Sequence, residues 1–415
     1  MKKTELIKKY TRKSVNVIKN EGILSLGIKT LTKLQKKQAQ TTSNPILKKR
    51  FISLVDRKNV MLADWSNRPY QDERVITNPI GVINWVMSPP AGGGGHQNIF
   101  RFISMLESKG YKSNIYLYST FDDTTPVQAK ENVKAYCDVK NLTFQMYEGH
   151  LKEADIVFAT GWETAYPVFN DTTTAKKMYF IQDFEPYFYP MGTDYILAEN
   201  TYKFGFHGVT AGGWLDQKLK QEYGMIADHY DFGADKSIYK LTNNKQRKDI
   251  FFYARPVTER RGFDLGIMAL EIFKQRMPEY VIHLAGWDVS EWDVPFDHID
   301  HKALRIDELA GIYNQCAAAL VLSLTNMSLL PLELLSTGTI PVVNDGPNNR
   351  LVSDNPFIAY TEASPEALAQ KLIDIVTMED LPSYAKKAAE SVPSDGWQKS
   401  GDKLASVIEK VLKNV

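Results

Sequence analysis

The stretch Ala318-Ala-Leu-Val-Leu-Ser-Leu-Thr325-Asn-Met-Ser-Leu-Leu330-Pro-Leu-Glu333-Leu-Leu-Ser336-Thr-Gly338-Thr-Ile340-Pro-Val-Val-Asn344 contains one complete strand–helix–strand unit. Ala318–Leu324 is a short apolar run of the kind that forms a buried strand. Leu330–Ser336 is a short helix, and Ile340–Asn344 is the next strand. Strands joined through a helix lie parallel, with a right-handed crossover. The same alternation extends to both sides. Upstream lie strand Asp249–Tyr253, helix Phe263–Arg276, strand Tyr280–Ala285 and helix Ile306–Gln315. In helix Phe263–Arg276 the expected core face is Leu265, Met268, Ala269, Ile272 and Phe273. Downstream, helices are expected at Pro365–Met378 and Asp402–Leu412, the second following Gly396-Trp397.

Leu241–Arg247 is polar and reads as a linker, and an earlier α/β series precedes it. The run Val82–Met87 leads through Ser88–Pro90 and four glycines, Gly92–Gly95, into a helix with Ile99, Phe102, Ile103 and Leu106 on one face. Asn114–Tyr118, Asp155–Ala159, Lys177–Gln182 and Gly208–Ala211 read as further buried strands. The expected fold class is therefore α/β, with two Rossmann-like doubly wound domains facing a cleft and a helical, basic N-terminal arm. The expected boundaries are an arm at 1–75, domains at 76–243 and 244–393, and a last helix within 394–415.

A chain of 415 residues, 43% apolar and 24% charged, has the length and composition for two globular domains. Its two cysteines, Cys137 and Cys316, lie far apart without metal-ligand spacing, which fits a reducing compartment. No secretory signal is read, and no stretch approaches the roughly 20 apolar residues of a membrane span. The net charge of +1 conceals an asymmetry, because residues 1–50 hold 14 Lys/Arg against two acids, Glu5 and Glu21. Tyr10, Val17, Leu24 and Leu31 recur at every seventh position there, the pattern of a basic amphipathic helix. Such an arm suits an anionic membrane surface; a solvated helix packed on its own domain or on a partner is the alternative. Nucleic acid is excluded as a partner, since the acidic remainder offers no extended basic groove.

In open α/β sheets, ligands bind at the C-terminal ends of the strands. In the loop Thr325–Glu333, the backbone amides of Thr325, Asn326, Met327, Ser328 and Leu329 precede a helix and suit an anionic diphosphate. Glu333 stands among five leucines, where a carboxylate must be paired. It either accepts from a ribose or deoxyribose hydroxyl or lies on the helix's polar edge. Arg255, Arg260 and Arg261 follow another strand and can clamp phosphate oxygens; a solvated basic turn is the plainer reading. The glycine loop matches neither the G-x-G-x-x-G fingerprint nor a P-loop. It does permit close approach of Gly94 and Gly95 to a ligand, and it places His96 at a helix start, which favours neutral imidazole. Asp183 and Glu185, among aromatic residues after a strand, suit sugar hydroxyls. A D-x-D triplet is absent, so no metal is expected.

These motifs resemble those of retaining GT-B glycosyltransferases of family 4, closest to bacterial WsaF-like dTDP-rhamnose rhamnosyltransferases. The resemblance covers roughly residues 80–412. It rests on the glycine loop running into His96-Gln-Asn-Ile-Phe-Arg-Phe, on Gln182-Asp-Phe-Glu-Pro-Tyr, on Tyr253-Ala-Arg-Pro, and on Glu333 with Gly338-Thr-Ile-Pro-Val-Val343. Glu333 matches the second Glu of the family's E-x7-E motif; Thr325 replaces the first, and Asn326-Met-Ser replaces Gly-Phe-Gly. The resemblance implies Glu333 on the nucleoside sugar, Arg255 and Arg261 (with Arg260 as a competitor) on the diphosphate, and Lys302 on base or phosphate. The expected donor-binding residues are Gly94, Gly95, Lys302, Thr325, Asn326, Met327, Ser328, Leu329 and Glu333, and the expected acceptor-binding residues are His96, Asp183 and Glu185. The resemblance also implies that the last helix crosses back to the N-terminal domain.

The implied activity is transfer of L-rhamnose from dTDP-L-rhamnose, with retention and without a cofactor, to a growing lipid-linked, rhamnan-type glycan of the S-layer kind. The implied location is cytoplasmic, peripheral at the inner face of the cell membrane. Alternatives are a UDP- or GDP-sugar donor, an NAD-dependent oxidoreductase and a non-catalytic sugar-binding relative.

Overall fold

A computed structural model of the chain describes residues 55–90, 93–138 and 141–414. The expected amphipathic stripe at residues 1–50, and Gly92 of the glycine loop, lie outside the described residues. Within the described part of the arm the only helix is α1 (Arg57–Leu62), capped by Asp56, whose carboxylate accepts from Lys58 N–H at 2.9 Å. The following chain is irregular and hugs the first domain. Tyr70 N–H donates to Phe204 O at 2.7 Å, and this approach needs Gly205 at φ +88°, where an added Cβ would sit 2.2 Å from Tyr70 O.

Seven strands form the first sheet: β1 (Val82–Met87), β2 (Lys112–Leu117), β3 (Thr143–Met146), β4 (Ile156–Ala159), β5 (Lys176–Ile181), β6 (His207–Ala211) and β7 (Ala227–Tyr230). Their order is β3-β2-β1-β4-β5-β6-β7, and every pairing is parallel. The strands are joined by α2 (Gly94–Ser108), α3 (Pro126–Lys134), α4 (Trp162–Asn170), α5 (Thr193–Asn200) and α6 (Gly213–Tyr223). Buried on both faces, the central strands read as continuous apolar runs. Trp85 stacks on Phe158 with ring centroids 4.4 Å apart, and Phe102 and Phe180 close around them. The short strands β3 and β7 escape sequence reading because half-exposed positions leave no unbroken apolar run.

A second sheet has the order β10-β9-β8-β11-β12-β13, also parallel, built from β8 (Asp249–Tyr253), β9 (Val281–Ala285), β10 (Ile299–Asp300), β11 (Cys316–Val321), β12 (Ile340–Asn344) and β13 (Ala359–Thr361). Its helices are α7 (Phe263–Arg276), α8 (Ile306–Tyr313), α9 (Leu330–Ser336), α10 (Pro347–Arg350), α11 (Pro365–Val376) and α12 (Leu381–Glu390). The buried face of α7 is Phe263, Gly266, Ile267, Ala269, Leu270 and Phe273, rotated from the expected one, and Met268 is exposed. Gly266 causes the rotation. A Cβ there would lie 2.2 Å from Phe252 Cζ, so the bare backbone packs onto the ring where a side chain cannot.

The final helix, α13, begins at Gly396 rather than at Asp402 and runs to Lys413. Trp397, Leu404, Ala405, Val407, Ile408 and Leu412 all join the core of the first sheet. Ser400 Oγ anchors the helix by donating to Asp231 O at 2.6 Å. The polar segment at 241–247 is clamped rather than free, since the buried Arg247 guanidinium donates to Asn243 O, Cys316 O and Thr337 O.

In each sheet the chain reverses direction at one point, between β1 and β4 in the first and between β8 and β11 in the second. The loops after β1, β8 and β11 lie at these switch points, where α/β sheets bind ligands.

Candidate active site

The loop after β11 meets the loop after β5. Asp183 is buried, and both of its oxygens are engaged. Oδ1 accepts from Phe184 N–H at 2.8 Å and from Asn326 N–H at 3.0 Å. Oδ2 accepts from Thr325 Oγ1 at 2.9 Å and faces Arg260 Nε at 3.3 Å. Asn326 reciprocates through Nδ2, which donates to Gln182 O at 3.1 Å and Ala211 O at 2.8 Å. Asn348 backs the loop, its Nδ2 donating to Thr325 O and its carbonyl accepting from Met327 N–H at 3.2 Å.

Two of the amides expected to face a diphosphate, those of Asn326 and Met327, are thus already paired within the protein. Thr325 and Met327 are buried, and Leu329 packs against the first domain's core. The N–H groups of Ser328, Leu329 and Leu330 have no acceptor among the described residues.

The arginine turn sits beside this loop. Arg261 donates from Nη1 to Ser323 Oγ at 2.9 Å, and Ser323 Oγ donates in turn to Asn326 O at 2.7 Å. Burial lowers the Arg261 pKa against the opposing pull of Asp183. Arg255 donates to Gly286 O at 3.1 Å and lies 5.6 Å from the Trp287 ring centroid. Arg260 spreads over Phe188 at 4.1 Å. Arg260 and Arg261, indistinguishable by spacing, therefore do different things: one reaches across to Asp183, and the other is built into the loop after β11.

Glu333 is half-buried on α9. Burial pushes its carboxyl up to about 8, against the charge of Arg101 and a hydrogen bond from the Tyr239 hydroxyl, while Asp235 pushes it further up. Arg101 comes from α2, donates to Asn98 Oδ1 at 3.1 Å, and stacks 4.1 Å from the Trp397 ring centroid. Glu333 therefore faces the Arg101 charge and the Tyr239 hydroxyl, which only partly offset its burial, in a setting supplied by α2, residues 235–239 and the start of α13. Sequence reading missed Arg101, although an arginine between Phe100 and Phe102 on a packed helix is a visible signal. For Tyr239, no local pattern marks it.

The remaining expected residues are placed as follows. Gly94 and Gly95 are exposed at the α2 N-terminus, and Gly95 O accepts from Gln182 Nε2 at 3.0 Å. His96 Nε2 is 3.1 Å from Ser88 O and 3.3 Å from Ser88 Oγ, and burial lowers its pKa, which keeps the ring neutral. Glu185 is buried inside the first domain, where it accepts from Trp162 N–H at 2.5 Å and Tyr179 OH at 3.1 Å. Burial, then the neighbouring Glu163, raises its pKa well above the carboxylate range. Lys302 is exposed, adopts φ +58°, and pairs with Asp288 at 3.1 Å. Behind it runs a chain from Asp249 through His283 to His301, with spacings of 3.0 and 2.7 Å.

Comparison with known proteins bears on this arrangement. Residues 104–211 match the family "WsaF, N-terminal domain", and residues 248–373 match "WsaF, C-terminal domain". The O-antigen biosynthesis protein RfbC of Myxococcus xanthus is 29% identical over 324 residues. That alignment takes in 75% of this chain but only 25% of RfbC. Among solved structures, TarM superposes with a TM-score of 0.62 at 9% identity, covering 79% of this chain and 99% of TarM. HepE from Anabaena, solved in complex with UDP-glucose, gives 0.60 at 13% identity, covering 80% and 100%. A glycosyltransferase from Rickettsia africae gives 0.57 at 14% identity, covering 80% and 99%. At these identities the structural likeness speaks for the fold. With both domain families matched in order along the two parallel sheets, the chain belongs to the WsaF family of GT-B glycosyltransferases.

Proposed function

We propose that the chain transfers L-rhamnose from dTDP-L-rhamnose to a growing, lipid-linked glycan, with retention of anomeric configuration and without a metal. The observation that carries this reading is Arg261, held through Ser323 against the loop whose Ser328, Leu329 and Leu330 amides lack acceptors among the described residues, with Arg255 at the start of the same arginine turn. Fixed donors of this kind stabilise the charge that grows on a departing diphosphate. Glu333 accepts from the nucleoside sugar hydroxyl, and Lys302 faces base or phosphate. The acceptor hydroxyl attacks from the leaving-group side, with the departing phosphate as base. His96 borders the acceptor. The name of RfbC, O-antigen biosynthesis protein, supports a polysaccharide product.

Among the described residues no helix is long and apolar enough to cross a membrane. Contact with the inner membrane face is assigned to the basic arm.

The test is turnover with a synthetic rhamnoside acceptor and dTDP-L-rhamnose, UDP-sugars or GDP-sugars. Rhamnosylated product from the dTDP donor alone is expected. Turnover with only a UDP- or GDP-sugar overturns the donor assignment.

A further inference from the structure

We infer that Asp183 is a positioning residue, which joins the phosphate-facing arginine turn to the Thr325–Ser328 loop across the cleft. This rests on the proposed role of those arginines toward a nucleotide diphosphate.

The carboxylate belongs to the first domain, yet three of its four partners belong to the second: Asn326 N–H, Thr325 Oγ1 and Arg260 Nε. Its fourth partner is its own neighbour, Phe184 N–H. The carboxylate accepts three hydrogen bonds and has the Arg260 guanidinium against Oδ2 at 3.3 Å, so both of its oxygens are already engaged within the protein. The Asn326 amide fastens the same junction in the opposite direction, to Gln182 O and Ala211 O.

From this junction two links run to the clamp. One goes through Asn326 O and Ser323 Oγ to the Arg261 guanidinium. The other goes through Arg260, whose carbonyl also accepts from Leu324 N–H at 2.9 Å. Fixing Asp183 therefore fixes both arginines and the loop amides together.

The junction is not fully satisfied. Asn326 Oδ1 and Arg260 Nε are buried without a well-formed hydrogen bond. A joint of this kind holds the clamp in place while remaining open to displacement, which a cleft that must admit and release a nucleotide requires.

The test compares full-length wild type with Asp183→Asn, Asp183→Ala, Thr325→Val and Thr325→Ser. Calorimetry is run with dTDP, UDP and GDP, and small-angle scattering is recorded without nucleotide. Thr325→Val should weaken the nucleotide that wild type binds by several-fold, and Asp183→Asn by about tenfold, the effect of losing charged hydrogen bonds. Thr325→Ser should bind as wild type does. Combining Asp183→Asn with Thr325→Val should cost little more than Asp183→Asn alone, because one joint is broken twice. Thr325→Val should leave the thermal midpoint near wild type, which separates positioning from loss of fold. Asp183→Ala should increase the nucleotide-free radius of gyration. Wild-type affinity in both Asp183→Asn and Thr325→Val, or fully additive losses, overturns the inference. If wild type binds none of the three nucleotides, the donor reading fails on its own. The scattering result then decides, and an unchanged radius in Asp183→Ala overturns the inference.

Discussion

Glu333→Gln probes both the chemistry of the site and its electrostatics. Moving a carboxyl from 4.5 to about 8 corresponds to about 5 kcal/mol against the ionised form. Glu333 is only partly buried by surface area, and solvent screening leaves ~1–2 kcal/mol of this in folding stability. The folded-state pKa lies above the unfolded one, so the contribution is present below pH 4.5 and is lost as pH rises through about 8. Glutamine does not ionise. Glu333→Gln should therefore match wild type in thermal midpoint near pH 5 and exceed it near pH 9.

Nucleotide binding should move the opposite way. If the ionised carboxylate accepts the nucleoside hydroxyl, only about a tenth of the empty sites are competent at pH 7, rising to about nine-tenths at pH 9. Wild-type affinity for dTDP should then rise about tenfold across that interval. Binding at pH 7 should release close to one proton, readable by calorimetry in buffers of different ionisation enthalpy. The variant should bind more weakly at pH 9, with a flat pH profile. A wild-type affinity independent of pH, equalled by Glu333→Gln, would refute both the pairing and the role.

Other outcomes follow from the same geometry. Arg255→Ala and Arg261→Ala should each lower kcat/KM about 100-fold, and Arg261→Lys should recover little of it, since a lysine lacks the planar fork that reaches Ser323. Gly266→Ala should destabilise the fold by about 3 kcal/mol in chemical denaturation, because its Cβ would sit 2.2 Å from Phe252 Cζ; a loss below about 0.5 kcal/mol would show that the ring moves aside. Glu185→Gln should gain stability relative to wild type as pH is raised from 5 to 9. Burial and Glu163 hold the Glu185 pKa above its unfolded value, so wild type loses stability on ionisation where glutamine does not. Parallel pH profiles for the two proteins would count against the buried pair.

Most of the architecture can be read along the chain, because parallel sheets covered on both faces demand unbroken apolar strands. Strands Val82–Met87, Asp249–Tyr253 and Ile340–Asn344 have the bounds their composition predicts. The edge strands β3, β10 and β13 do not, because half of their surface meets solvent or a loop and no run forms. The face of α7 also escaped prediction, since periodicity counts apolar side chains and the deciding residue, Gly266, has none.

At the site, sequence marked the loops but not the partnerships. Arg255, Arg260, Arg261 and Glu333 stand at strand ends and helix starts that local pattern reveals. Which arginine meets which acceptor, and which charge faces Glu333, depends on residues more than 60 positions away: Asp183 for Arg260, Ser323 for Arg261, Arg101 for Glu333. Hydrogen bonding and charge act over a few ångströms in space, whatever the separation in sequence. The sequence alone therefore determined two α/β domains and the loops that border a shared cleft. Only the folded chain decided that Asp183 serves the opposite domain, because Thr325, Asn326 and Arg260 reach its two oxygens through tertiary packing alone.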